Sequence, residues 1–160
     1  MARSRPRSPP ATGGGSDLTR LFAGVVLVDR RGWILLQERD EFPVIDPEKW
    51  GPPGGHLEPG EDPAEGAARE LLEETGVRLD PADLRLWRAV DVFHEAYGSD
   101  DQMYVFAAPV DLTDADIVCG EGRRIVFVEP SAARELDLTA SASISVPGFL
   151  DSPLYASMKG

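Results

Sequence analysis

Residues Gly55 to Val77, GHLEPGEDPAEGAARELLEETGV, constrain this chain more than any other stretch. Asp62 is a strong N-cap, Pro63 suits the first helical position, and Glu65 stands where a capping box wants its acid. Ala64 to Thr75 are mostly good helix formers, and Gly76 offers a left-handed stop. The pattern predicts a helix over 63–75. Its apolar stripe is Ala64, Ala68, Leu71 and Leu72 with Thr75 beside it, and such a stripe needs a core. Glu70, Glu73 and Glu74 stand at i, i+3 and i+4, so three carboxylates leave one side of the helix. Arg69, the one basic residue inside the helix, cannot neutralise three acids.

A solvated acidic face is one reading of that pattern. A hard-cation site is the other: clustered carboxylate oxygens are the donors that Mg²⁺ or Mn²⁺ takes, and the ion removes the repulsion. The preceding Trp50-Gly51-Pro52-Pro53-Gly54-Gly55 is too rich in Gly and Pro for a helix or a regular strand interior. Its glycines let backbone approach a ligand closely, and a free carbonyl can join a metal shell.

Taken together, these residues resemble the Nudix box, the signature of the Nudix hydrolases. Gly55, Glu61, Arg69, Glu70, Leu71, Glu73, Glu74, Gly76 and Val77 match every fixed position of that pattern. The resemblance implies an α+β fold, an α/β/α sandwich around a mixed β-sheet. It implies hydrolysis of a phosphoanhydride in a nucleoside diphosphate linked to another group, with Mg²⁺ or Mn²⁺ as cofactor. Glu70, Glu73 and Glu74 would hold the metal, with the Gly55 carbonyl as a further ligand. Glu70 or Glu121 would be the general base, Arg69 would orient the glutamates, and Glu61 would assist from the start of the box. Family members carry a basic residue near the end of the second strand that faces the substrate phosphates, which here points to Arg39. An isologous homodimer is the family default.

The remaining chain is read around that box. Residues 1–16 carry Arg3, Arg5 and Arg7 among Pro, Ser and Gly with no apolar run, a basic tail expected to be disordered, leaving 17–160 as one domain. Net charge is −12, and a tail with three arginines leaves the remainder more acidic still. Such a domain is a poor binder of nucleic-acid backbone, and it repels polyphosphates unless cations bridge the two. Cys119 is the single cysteine, so no internal disulfide can form, and a reducing, cytoplasmic setting is expected. No apolar run approaches the length of a membrane span.

Leu21–Val28 and Trp33–Arg39 read as a hairpin around Asp29-Arg30-Arg31-Gly32. Asp40–Lys49 reads as a loop bordering the site. Leu84–Phe93 and Gln102–Ala108 read as strands around an acidic loop, His94–Asp101, in which His94 reads first as a polar loop residue and, as the alternative, as a catalytic one. His56, at a variable place in the box, has no partner at metal-ligand spacing. A second acidic loop, Asp111–Gly122, ends in Glu121, followed by a strand over Arg124–Val128. Short helices are expected over Pro130–Leu136 and Pro147–Met158, the latter interrupted by Pro153.

The substrate branch is less defined. The proline expected downstream of the box in the ADP-ribose branch is missing at Val92, Phe93 and His94, and Tyr97 is offset from the dinucleoside polyphosphate pattern. The chain has no asparagine, so the purine contact of the best-known 8-oxo-guanine nucleotide enzyme has no counterpart. A nucleoside triphosphate is the first choice of substrate, with ADP-ribose or a nucleotide sugar second. A nucleotide sensor that binds without cutting and an isomerase are the readings from other classes.

Overall fold

The computed structural model describes residues 20–40, 47–94 and 98–159. The expected tail, most of the Asp40–Lys49 loop, and Tyr97 lie outside the described residues. Among those described, seven strands form one mixed sheet: β1 (Leu21–Val28), β2 (Ile34–Glu38), β3 (Trp50–Gly51), β4 (Gly54–His56), β5 (Arg85–His94), β6 (Ser99–Pro109) and β7 (Arg124–Val128). The order is β3-β2-β1-β6-β5, with β4 against β1 and β7 against β2. Four helices flank it: α1 (Pro63–Thr75), α2 (Pro130–Arg134), α3 (Ala140–Leu150) and α4 (Pro153–Met158).

The central strand explains the layering. Seven of the eight residues of β1 are buried, as expected of a strand covered on both faces. Ala23, Val25 and Leu27 pack with Ala67 and Leu71 of α1, whereas Val26 and Val28 pack with Ala142, Val146 and Phe149 of α3. The expected α/β/α sandwich is the observed fold.

Helix α1 spans the predicted residues. Asp62 Oδ2 accepts from the N–H groups of Ala64 and Glu65, and Gly76 closes the helix at φ 75° with its N–H on Leu72 O. Its buried face is Gly66, Ala67, Leu71, Glu74 and Thr75. Of the expected stripe, Leu71 and Thr75 are buried and Ala64 and Ala68 pack partly buried against the same core, whereas Leu72 is only half-buried and Glu74 lies beneath the helix instead.

Four further expectations need correction. The hairpin between β1 and β2 pairs only at its mouth, Val28 with Ile34. Beyond it, β2 runs against β7 and β3, while Gly54–His56 takes up the edge of β1. The Gly/Pro stretch therefore holds two short strands, because Gly54 lies so close to β1 that a Cβ there would meet Ala23 O at 2.5 Å. His94 is not a loop residue: it ends β5, 7% exposed, opposite Ser99. Helix α3 begins at Ala140, seven residues before the expected start, capped by Thr139 Oγ1 on Ala142 N–H at 3.1 Å. The Ser-rich, β-branched run hid this start, and burial of Ala142, Val146, Phe149 and Leu150 outweighs the weak propensity. Pro153 opens α4 instead of interrupting a longer helix.

No helix among the described residues is long and apolar enough to cross a membrane. Phe149 is fully buried and meets Trp87 and Tyr155 edge-on, with centroids 6.1 and 5.5 Å away. Phe149→Ala is expected to lower stability by about 3–5 kcal/mol in urea unfolding, with Phe149→Leu costing less.

Candidate active site

The site is built where α1 meets β4. The Gly54 N–H donates to Glu74 Oε1 at 3.0 Å, so the helix is fastened to the sheet through a carboxylate. Gly55 lies against Glu70, and a Cβ there would stand 2.6 Å from Glu70 Oε1. Arg69 engages Glu61 with two donors, Nε at 2.8 Å and Nη2 at 2.9 Å, and reaches Glu70 Oε2 at 2.9 Å. Its Nη2 also donates to His56 O at 3.1 Å, while Glu73 is only a marginal neighbour at 3.5 Å. Arg69 thus braces the start of the box against its glutamates.

These contacts separate the acids. The Arg69 hydrogen bonds, with the Glu58 N–H, hold the Glu61 carboxyl down at about 2. Burial pushes the Glu74 carboxyl up to about 8, reinforced by the nearby Glu70 charge. Burial also raises Glu70, although Arg69 opposes it. Glu73 is exposed, and the Glu121 side chain makes no hydrogen bond among the described residues.

A cleft of about 440 Å³ opens beside this group. Glu70, Glu73, Glu74 and Glu121 share one wall with Gly54 and Gly55. Glu121 arrives from the loop before β7, held by Gln37 Nε2 on Glu121 O at 2.7 Å and Gly120 N–H on Glu74 O at 2.8 Å. Arg39 lines the same cleft, and its Nε is buried with no hydrogen-bond partner. The six residues proposed for metal or proton work from the box and its flank, Gly55, Glu61, Arg69, Glu70, Glu73 and Glu74, thus form one neighbourhood, with Glu61 behind Arg69. Arg39 and Glu121 reach it from other elements.

No three His, Cys, Asp or Glu side chains among the described residues form a ready cage for a metal ion. The donor chemistry nevertheless fits a hard cation. It consists of oxygens alone, burial raises two of its carboxyls, Glu74 with no cation in contact, and the Glu73 and Glu121 side chains are not tied down.

The opposite wall was not legible in the sequence. It comprises Phe22, His94, Met103 and Val105 from the sheet and Thr139, Ser141 and Ser145 from α3. The Phe22 and His56 rings lie against each other with centroids 4.3 Å apart, tilted by 39°. His94 and Asp101 are diagonal neighbours across the β5–β6 hairpin, a juxtaposition that alternation could have suggested had the turn been placed.

Glu74 makes stability depend on pH. Its folded pKa lies above its ordinary 4.5, so between about 4.5 and about 8 the folded protein binds more protons than the unfolded chain. Stability is therefore expected to fall as pH rises through that window, by on the order of 5–10 °C in Tm without divalent cations. Thermal scans should show a flatter profile for Glu74→Gln, whose amide oxygen can still accept the Gly54 N–H.

The NUDIX domain profile matches residues 18–146. The m7GpppN-mRNA hydrolase NUDT17 of Bos taurus is 37% identical over 97 residues, 58% of this chain. The match spans only 31% of the length of that relative. A putative 8-oxo-dGTP diphosphatase of Bacillus subtilis is 28% identical over 123 residues, covering 72% of this chain and 76% of that protein. The crystal structure of a MutT protein from Methanosarcina mazei Go1 superposes with a TM-score of 0.70 at 22% identity, covering 83% of this chain and 93% of that one. The complete box, the shared fold and a profile match over most of the chain make this protein a member of the NUDIX domain family.

Proposed function

We propose that the protein hydrolyses a phosphoanhydride bond in a nucleoside diphosphate linked to a further group, with a nucleoside triphosphate as the first-choice substrate. The observation that carries this reading is the pairing in one cleft of Arg39, whose Nε is buried and unpartnered, with half-buried Glu70 and buried Glu74. Arg39 supplies the positive charge and directed N–H donors that a phosphate oxygen takes.

Glu70, Glu73, Glu74 and the Gly55 carbonyl would hold Mg²⁺ or Mn²⁺, which would supply charge neutralisation for the phosphates and a more acidic water. The chain's own groups do the rest. Arg39 anchors and orients the phosphates. Glu70, raised above its ordinary range, accepts a proton from the attacking water at its carboxylate. Arg69 keeps Glu70 in place and Glu61 keeps Arg69 in place. Glu121, on its separate loop, adds a further carboxylate to the same wall.

The test is a substrate panel with Mg²⁺, Mn²⁺ or chelator. It contains common and oxidised nucleoside triphosphates, ADP-ribose, nucleotide sugars, dinucleoside polyphosphates and a capped dinucleotide. Metal-dependent cleavage of one class is expected. Glu70→Gln and Glu74→Gln should each lose about 100-fold or more in kcat. Arg39→Ala should lose about 10–100-fold in kcat/KM, chiefly through KM. Binding without cleavage would favour a sensor, and a product of unchanged mass an isomerase. Full activity of Glu74→Gln would remove the assignment.

A further inference from the structure

The wall of the cleft across from the glutamates carries a built hydrogen-bonding device. His94 Nδ1 lies 2.6 Å from Asp101 Oδ2, with the His94 ring 7% exposed and Asp101 1% exposed. Asp101 Oδ1 is taken separately, by Ser99 Oγ at 2.9 Å and by the Arg20 N–H at 3.1 Å. Both carboxylate oxygens are therefore committed, and the carboxylate is fixed in rotation. A carboxylate only accepts, so the neutral imidazole carries its proton on Nδ1 and leaves Nε2 as an acceptor. Nothing else among the described residues hydrogen-bonds this ring, which lines the cleft and meets Phe22 edge-on at 5.3 Å. A buried acceptor of fixed orientation beside an aromatic face matches a flat heterocycle that presents an N–H from its edge.

We infer that His94 is the specificity-determining residue of the cleft, reading an amino group on the base of the substrate through Nε2, and that Asp101 is the positioning residue that sets its tautomer. The inference rests on the nucleotide reading above for what occupies the glutamate end. It makes the protein selective between bases that differ only by an amino group. It also assigns Ser99 a place, since its hydroxyl holds the carboxylate from behind.

The geometry dictates an unusual variant. In Asp101→Asn the two donors, Ser99 Oγ–H and the Arg20 N–H, keep the amide oxygen at the Oδ1 position. The amide nitrogen then faces His94 and donates to Nδ1. The imidazole proton moves to Nε2, and an acceptor becomes a donor.

The experiment measures two matched pairs, GTP against ITP and ATP against purine riboside triphosphate, each differing by one amino group. Both Kd by calorimetry and kcat/KM are read for the wild type, His94→Phe and Asp101→Asn. The wild type is expected to prefer the amino member of at least one pair by about tenfold or more. His94→Phe should bring that ratio to near unity, mainly through KM. Asp101→Asn should abolish or reverse it. A merely structural role would weaken both members equally and leave the ratio unmoved, which overturns the proposal, as does a wild type that binds both members of both pairs alike or binds none. Because Kd is read independently of turnover, a discriminating protein that cleaves nothing would sink the hydrolase reading and uphold this one.

Discussion

The hydrogen bond from the Gly54 N–H to Glu74 is the interaction on which the site depends. It joins the box helix to a strand that is itself paired to β1, the centre of the sheet. A carboxyl group only 6% exposed is costly to ionise, and this single donor satisfies part of it. The approach is close enough to exclude a side chain at Gly54, where Ala23 O and the Gly24 Cα would collide with it. At Gly55 the obstacle is Glu70 itself, so the glycines and the glutamates of the box are parts of one contact.

Charge is then divided unevenly along α1. Arg69 spends its best geometry on Glu61, the two-donor arrangement that strongly lowers one acid, and touches Glu70 with what remains. Glu74 is left without a cation in contact. The helix thus keeps one neutralised corner and one charged corner that is expensive to ionise, and the cleft opens at the second. A bound cation would relieve that imbalance, at the corner where burial raises Glu70 and Glu74.

The two faces of the sheet divide the remaining work. The glutamate wall is carried by α1 and by the loop before β7, while the other wall comes from the α3 face of β1, β5 and β6 with the start of α3. One wall is charged, and the other is aromatic and neutral hydrogen-bonding. Arg39 is brought to the cleft at the end of β2, where the backbone N–H of Arg39 is held by Lys49 O.

The box helix was legible because its determinants are local: the Asp62 cap, the Gly76 stop and the run of helix formers between them act within a few residues. Strand β7 and the family resemblance were legible for the same reason. By itself, the sequence determined which residues make the box, their spacing and the acidity of the chain. Only the tertiary structure decided which way α1 faces, and so that Glu74 rather than Leu72 is buried. It also decided that β2 leaves β1 after one pair, that a Ser-rich run becomes α3, and that His94 meets Asp101. Each of these depends on burial against elements distant in sequence, which local propensity does not encode.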